Sequence, residues 1–334
     1  MPDIDILPDP TEGPPADTIA CHPGLYEPDQ IARVLACGFK STLAHEIDKL
    51  DARSFIERPK ARYTLRDAVI AGGWIYPQKG RLFMSSTSPF RALGQKIRRY
   101  DKATLLNSAQ GLKYFGHWLR DDCAVYEDIR DTPNLISMQR AYWPDAQIYE
   151  AAFDHVWHDV AFAHVGELTL YRELGFNRDK ARRLRLLRQR LRASHPAPNA
   201  GKIVYIRRGQ LGAARDIAHQ DAFETALAAA GIHIVEPGLA GQNLAREVLD
   251  AAMIITVEGS QAGHGVYCLA DGGAMLILQP PERFYNPHHE WTRLLGMGYG
   301  ITIGEKEGAA FRIHPDEVFA MIDRLQAAPR ISDA

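Results

Sequence analysis

The chain has 334 residues, enough for about two domains, and its 46% hydrophobic and 24% charged residues are typical of a soluble globular protein. A formal net charge of -2 gives no electrostatic case for a polyanionic partner, so nucleic acid is not expected. Four scattered cysteines without CxxC spacing argue against a zinc site and for a reducing compartment, and with no basic signal sequence or membrane-length apolar run the expected location is the cytoplasm.

Residues 1–18 are acidic and proline-rich and read as a flexible leader. Asp3-Ile4-Asp5 copies the DxD metal motif of some sugar-nucleotide enzymes, but with no strand before it chance is the simpler origin. A first α/β domain is expected over 19–195. Val69 to Tyr76 and Arg81 to Met84 read as short strands, with Gly72-Gly73 and Gln78-Lys79-Gly80 marking a bulge and a turn. Arg91 to Tyr100 reads as a helix and Leu135 to Met138 as a strand. Within Lys113 to Ile129, helical spacing gathers Phe115, Trp118, Leu119, Val125, Tyr126 and Ile129 into one apolar stripe. His117 and Asp121, four apart, are neighbours at its margin, an arrangement that suits either a general base with its orienting carboxylate or a plain surface pair. Asp122 falls toward the middle of the stripe and must be paired or perturbed in pKa.

Asn177 to Ala193 is a basic amphipathic segment. Such a helix can lie on an anionic membrane or nucleic acid, but it reads as a solvated helix with one face docked, bridging two domains, with a peripheral membrane contact left open. Pro196 to Gly201 then marks a boundary, with a second domain over 196–334. There, strands over Lys202 to Ile206 and Ile232 to Val235 alternate with helices over Asp221 to Ala230, Leu244 to Ala252 and Pro315 to Leu325. Alternation of this kind indicates a doubly wound parallel sheet. Arg207, Arg208 and Arg215 follow its first strand, with Gly209 and Gly212 letting the loop bend, and suit either an anion site or a solvated basic loop.

Met253 to Pro280 organises this domain. An apolar run ends at Glu258-Gly259-Ser260, a helix follows to Leu269, and Asp271-Gly272-Gly273 leads into a second apolar run, the pattern of a buried β-α-β unit. The turn lies where such sheets bind ligands, with Gly259 allowing close approach and Ser260 capping the helix, although a purely structural turn has the same sequence. His288-His289-Glu290 is set aside as a metal motif, because adjacent helical residues do not face one point, and is left as a surface or pocket-edge feature.

The order of these motifs resembles the catalytic domain of glycosyltransferase family 61, inverting enzymes often described as capsular polysaccharide biosynthesis proteins. The resemblance spans roughly Lys113 to Pro280. It rests on GHWLRDD, which puts His117 and Asp121 on the family's His and acidic positions, on Arg207-Arg208, Arg215 and Asp221 before a helix, on a strand ending in Pro237, and on A-x-x-I-x-x-x-x-G-S over 251–260. The run Leu276 to Phe284 resembles a bacterial branch. The chain departs where the family often has His-Gly-Ala in place of Glu258-Gly259-Ser260 and Asn in place of His219.

The resemblance implies a GT-B-like α/β fold, two Rossmann-like doubly wound domains facing a cleft. It also implies a hexosyl- or pentosyltransferase using a nucleoside-diphosphate sugar and a glycan or other hydroxyl acceptor, without metal or other cofactor. Arg207, Arg208, Arg215, Gly259 and Ser260 would hold the donor diphosphate, Glu258 and His264 its nucleoside, and His117 or Asp121 would act as base. A nucleotide-sugar epimerase or hydrolase, and a non-catalytic nucleotide-sugar binding protein, are the rival readings.

Overall fold

The structure, a computed structural model, describes residues 17–88, 90, 94, 96–208, 215–237 and 243–328. Asp3-Ile4-Asp5, Gly209 and Gly212 lie outside them. The chain divides into two compact units, one holding Glu57–Leu187 and the other Thr18–Ile56 together with Arg188 onward. The division falls inside one helix rather than at 195/196, and residues 18–56 belong with the second unit. In place of a leader reaching residue 18, Thr18 begins strand β1 (Thr18–Ala20), which pairs antiparallel with β2 (Ser54–Ile56).

In the first unit, β3 (Ala61–Ala71), β4 (Trp74–Tyr76), β5 (Leu82–Phe83), β6 (Arg98–Leu105), β7 (Leu135–Met138), β8 (His158–Val160) and β9 (Phe162–Arg172) form a seven-stranded sheet. Its order is β5-β4-β3-β9-β6-β7-β8. Gly72-Gly73 makes the two-residue turn between β3 and β4, with Gly72 at φ 58. So short a connection returns the chain antiparallel, whereas parallel neighbours need a crossover. β3, β4 and β5 are accordingly antiparallel, β9 also pairs antiparallel with β3, and the β9-β6-β7-β8 half is parallel. The first domain is α/β as expected, but the Rossmann-like, doubly wound form that the resemblance implies is here built on a mixed sheet. Of the helix expected over 91–100, residues 91–93 and 95 lie outside the described residues, and Arg98 to Tyr100 instead open β6 and pair with β9. Cross-strand pairing decides this charged segment where local preference does not. Leu65, Ile70, Leu105, Val165 and Leu168 are among the residues that pack the core of this sheet.

The second unit is built on β10 (Ile203–Ile206), β11 (His233–Val235), β12 (Ala251–Val257), β13 (Leu269–Gln279) and β14 (Gly298–Ile303). All five are parallel, in the order β11-β10-β12-β13-β14. Chain direction across the sheet reverses between β10 and β12, and the space beyond the carboxyl ends of those strands is where such sheets take ligands. Ile254, Ile255, Val257 and Met275 to Leu278 are fully buried, as an apolar run covered on both faces must be. Asp271-Gly272-Gly273 lies inside β13, where the register jumps from Ala251↔Leu269 to Met253↔Ala274. The helix Gln220–Ala229 ends as expected at Gly231, whose N–H meets Ala228 O while Ile232 N–H meets Leu227 O. The helix expected over 244–252 covers only Leu244–Glu247, because Ala251 and Ala252 are drawn into β12. A hairpin of β15 (Glu305–Glu307) and β16 (Ala310–Arg312) precedes the helix Pro315–Ala327.

The basic helix Arg178–Ser194 is not the solvated element its composition suggests. Lys180, Arg183 and Arg188 are buried along with Leu184, Leu187 and Leu191. Arg183 makes a bidentate pair with the buried Glu173 at 2.9 and 2.6 Å, and Arg188 donates to Asp271 at 2.8 Å. Arg192 donates to Asp250 at 2.6 Å and to Asp271 at 2.9 Å. Much of the basic face that a membrane contact would use is satisfied within the protein.

Candidate functional site

The second unit gathers charge just beyond β12. Gly259 adopts φ 158 and ψ 175, a backbone state essentially confined to glycine. Its bare Cα admits two guanidiniums: a Cβ there would overlap Arg208 Nη1 and stand 2.9 Å from Arg215 Nη1. Arg215 Nη1 lies 2.7 Å from Glu258 Oε2 and also donates to the Glu258 carbonyl oxygen. Arg283 Nε donates to the same Oε2 at 3.2 Å. Arg208 Nη1 donates to Gln261 Oε1 at 2.5 Å, and the Gln261 amide donates to Thr256 Oγ1 at 3.1 Å. Three guanidiniums therefore surround one buried carboxylate.

Burial pulls the Arg215 pKa down to about 10, with Arg208 and Arg283 repelling its charge and Glu258 opposing the shift. Arg208 is lowered for the same leading reason. Burial also raises the Glu258 carboxyl, against the pull of all three arginines. The Nε of Arg215 is buried without a hydrogen-bond partner among the described residues. Such a cluster is under-solvated and carries surplus positive charge, and an added anion relieves both conditions.

Arg207 does not join it. Its Nε donates to Glu224 Oε1 at 2.9 Å and its Nη1 to Glu236 Oε2 at 2.8 Å, so two carboxylates neutralise it. Successive residues at a strand end face opposite sides of the sheet, which separates Arg207 from Arg208. Ser260 is exposed and is the first residue of a 3-10 turn, Ser260–His264, with Gly259 in the capping position expected of Ser260. That turn and the four-residue helix Gly265–Cys268 replace the single helix expected up to Leu269. Pieces so short sum few peptide dipoles, so the arginines, not a helix end, supply the positive potential. His264 is buried and presents no open surface to a nucleoside. His288 and His289 are likewise buried rather than superficial. Trp291 Nε1–H donates to His288 Nδ1 at 3.1 Å, which leaves the imidazole Nε2–H to donate to Gly259 O, also at 3.1 Å.

The first unit holds the His117–Asp121 pair in a local departure from α-helix. Trp118–Asp122 forms a turn of π-helix between Phe115–His117 and Cys123–Ile129, an irregularity frequent at functional sites. His117 Nδ1 is 2.8 Å from Asp121 Oδ2. Asp121 is fully buried, accepting from Arg120 Nε at 3.0 Å, Arg120 Nη2 at 2.9 Å and Lys180 Nζ at 2.6 Å. Burial alone would raise its pKa, but Arg120, Lys180 and the His117 hydrogen bond hold it far below the usual carboxylate range. A carboxylate so firmly ionised is a poor proton acceptor, so Asp121 can orient His117 but does not itself suit the role of base. The imidazole remains 34% exposed, and its Nε2 carries no hydrogen bond among the described residues. Arg120 Nη2 also lies 3.0 Å from Nδ1, so two partners compete for that nitrogen; in the tautomer that directs Nδ1–H to Asp121, the Nε2 lone pair is the available base, the arrangement of a carboxylate–imidazole dyad.

Asp122, buried beside it, accepts the Ser108 N–H at 3.2 Å, and burial pushes its carboxyl well above the usual range. Gly111 makes room for it, since a Cβ there would overlap both its oxygens and its carboxyl carbon.

No family model matches the chain, and a search of curated proteins returned no match.

The geometry thus assembles an anion-ready cluster from Arg208, Arg215, Arg283, Glu258 and Gly259, and separately an oriented imidazole at His117. Arg283 and Gln261 were missed by sequence reasoning, which had left His288 as a surface or pocket-edge feature. Arg283 lies four residues after the end of β13, beside β12, so the strand order itself carried the signal. Among the described residues no group of three or more His, Cys, Asp or Glu side chains is placed to hold a metal ion.

Proposed function

We propose that the chain is an inverting glycosyltransferase that moves a hexosyl or pentosyl group from a nucleoside-diphosphate sugar to a hydroxyl acceptor such as a glycan, with a role in polysaccharide biosynthesis. The division of labour is that of a GT-B enzyme, one unit holding the donor and the other supplying the base. The observation that carries this reading is the convergence of Arg208, Arg215 and Arg283 on Gly259 and Glu258, beyond the carboxyl ends of the strands that precede them. The planar forks of arginine pair with phosphate oxygens, and surplus positive charge stabilises a departing diphosphate without a divalent cation.

In the reaction, the acceptor hydroxyl gives its proton to His117 Nε2 and its oxygen forms a bond to the anomeric carbon. The bond from that carbon to the diphosphate breaks, and the nucleoside diphosphate leaves with the electron pair. One displacement inverts the anomeric configuration. The resemblance of GHWLRDD and the arginine motifs to glycosyltransferase family 61 supports the same chemistry.

A thermal-shift panel of nucleoside-diphosphate sugars in EDTA tests the reading. At least one donor should raise the melting temperature of the wild-type chain, and Arg215→Ala should abolish most of the shift. A panel with no response from the wild-type chain would refute donor binding.

A further inference from the structure

The donor reading leaves the nucleobase without a recognising group, because His264 is buried and Glu258 is engaged by two arginines. An aromatic ring from a distant part of the sequence stands beside the anion cluster. Phe39 packs on Arg283, whose guanidinium carbon is 4.6 Å from the ring centroid, while Arg283 Nε reaches Glu258 Oε2 at 3.2 Å. Tyr285 tilts against the same ring at 4.9 Å. Phe39 is nevertheless 58% exposed, a large apolar side chain facing solvent at the edge of a polar site.

Its backbone is unusual as well. Phe39 sits at φ 52 and ψ 35 and Lys40 at φ 61, left-handed conformations that bulky residues rarely adopt. A turn built for its shape alone would take Gly or Asn there. The segment is held in place: Leu35 N–H meets Pro281 O at 2.8 Å, Phe284 N–H meets Ala36 O at 2.9 Å and Gly38 N–H meets Phe284 O at 3.0 Å. The ring is therefore a fixed platform, one guanidinium away from the anion cluster, which is the kind of gap a ribose bridges between diphosphate and base.

The geometry points to Phe39 as the surface on which the nucleobase of a nucleoside diphosphate stacks, with Arg283 serving both ring and phosphate. This assignment rests on the anion site proposed above. Stacking on an aromatic face tolerates any base, so base identity is not set by this contact.

Calorimetric titration of wild type, Phe39→Ala and Phe39→Trp with uridine diphosphate, guanosine diphosphate and inorganic pyrophosphate tests it. Loss of a stacked base should weaken the better-bound nucleoside diphosphate about 5- to 150-fold in Phe39→Ala. Pyrophosphate affinity should stay within about twofold of wild type, because pyrophosphate has no base to stack, and Phe39→Trp should retain nucleotide binding. Unchanged nucleotide affinity in Phe39→Ala overturns the platform while leaving the anion site standing. Equal losses for pyrophosphate and nucleotide would also overturn it, since Phe39 would then act only by placing Arg283. Wild-type protein that binds none of the three overturns the anion site and the platform together.

Discussion

Replacing Gly259 by alanine tests the architecture of the charged cluster in a single atom. The new Cβ would stand 2.9 Å from Arg215 Nη1 and would overlap Arg208 Nη1. Ordinary contact needs about 3.5 Å, so Arg215 must retreat by roughly half an ångström and Arg208 by more. The 2.7 Å Arg215–Glu258 pair and the 2.5 Å Arg208–Gln261 hydrogen bond are both disturbed. A charge-assisted hydrogen bond contributes about 1.5–3 kcal/mol, and forcing a non-glycine residue into this backbone state costs about 1–3 kcal/mol more. Because the clashing atoms are the far ends of flexible side chains, the loss falls at the low end of these ranges, about 2–3 kcal/mol, which lowers the melting temperature by roughly 4–12 °C in a unit of this size. Pyrophosphate affinity should fall at least about tenfold, as both forks leave their places. Gly231→Ala is the control, because Gly231 is also at positive φ (79°) but a Cβ there meets nothing within 4 Å. That variant should lose stability by only about 1 kcal/mol and bind pyrophosphate normally. A Gly259→Ala protein with wild-type melting temperature and wild-type pyrophosphate affinity would refute the packing argument.

Arg283→Ala should weaken pyrophosphate binding by about 1.5–3 kcal/mol, whereas Arg207→Ala, already neutralised by Glu224 and Glu236, should leave it unchanged; equal losses in titration would return Arg207 to the site. Asp121→Asn strands the buried Lys180 and Arg120 charges and should cost about 3–5 kcal/mol at pH 7 in denaturant unfolding. Because the folded pKa of Asp121 is depressed, its contribution is present above the unfolded value of about 3.9 and lost as pH falls, so this deficit should shrink in acid. Asp122 has the opposite sign: its raised folded pKa gives stability that is whole below about pH 3.9 and lost as pH rises. Asp122→Asn should therefore gain on wild type as pH rises above about 4, and a difference in melting temperature that stays flat with pH would count against a raised carboxyl.

The strands of the second unit were legible because residues buried on both faces of a parallel sheet must be apolar in unbroken runs, as Met275 to Leu278 are. The His117–Asp121 pair was legible because residues four apart on a helix meet, and the π turn keeps them together. Charge patterning misled where cations are buried. Lys180, Arg183 and Arg188 look solvent-facing until Asp121, Glu173 and Asp271 are placed beside them by the fold. Adjacent arginines could not be separated by motif alone, since the alternation of a strand end is what sends Arg207 and Arg208 to different partners. Least legible was the contribution of residues 18–56. Phe39 meets Arg283, and Glu46 Oε2 accepts the Asn286 N–H at 2.8 Å, across some 240 positions of sequence that no local pattern spans.

The proposed glycosyl transfer with His117 as base is tested by single-turnover transfer from saturating donor, with donor affinity titrated in parallel. His117→Ala should bind donor as wild type does while losing about 10²–10⁴ in rate, the usual contribution of a general base. Wild-type rate in His117→Ala would remove His117 from the chemistry, and consumption of donor by the wild-type chain with no sugar appearing on any acceptor would rule out transfer.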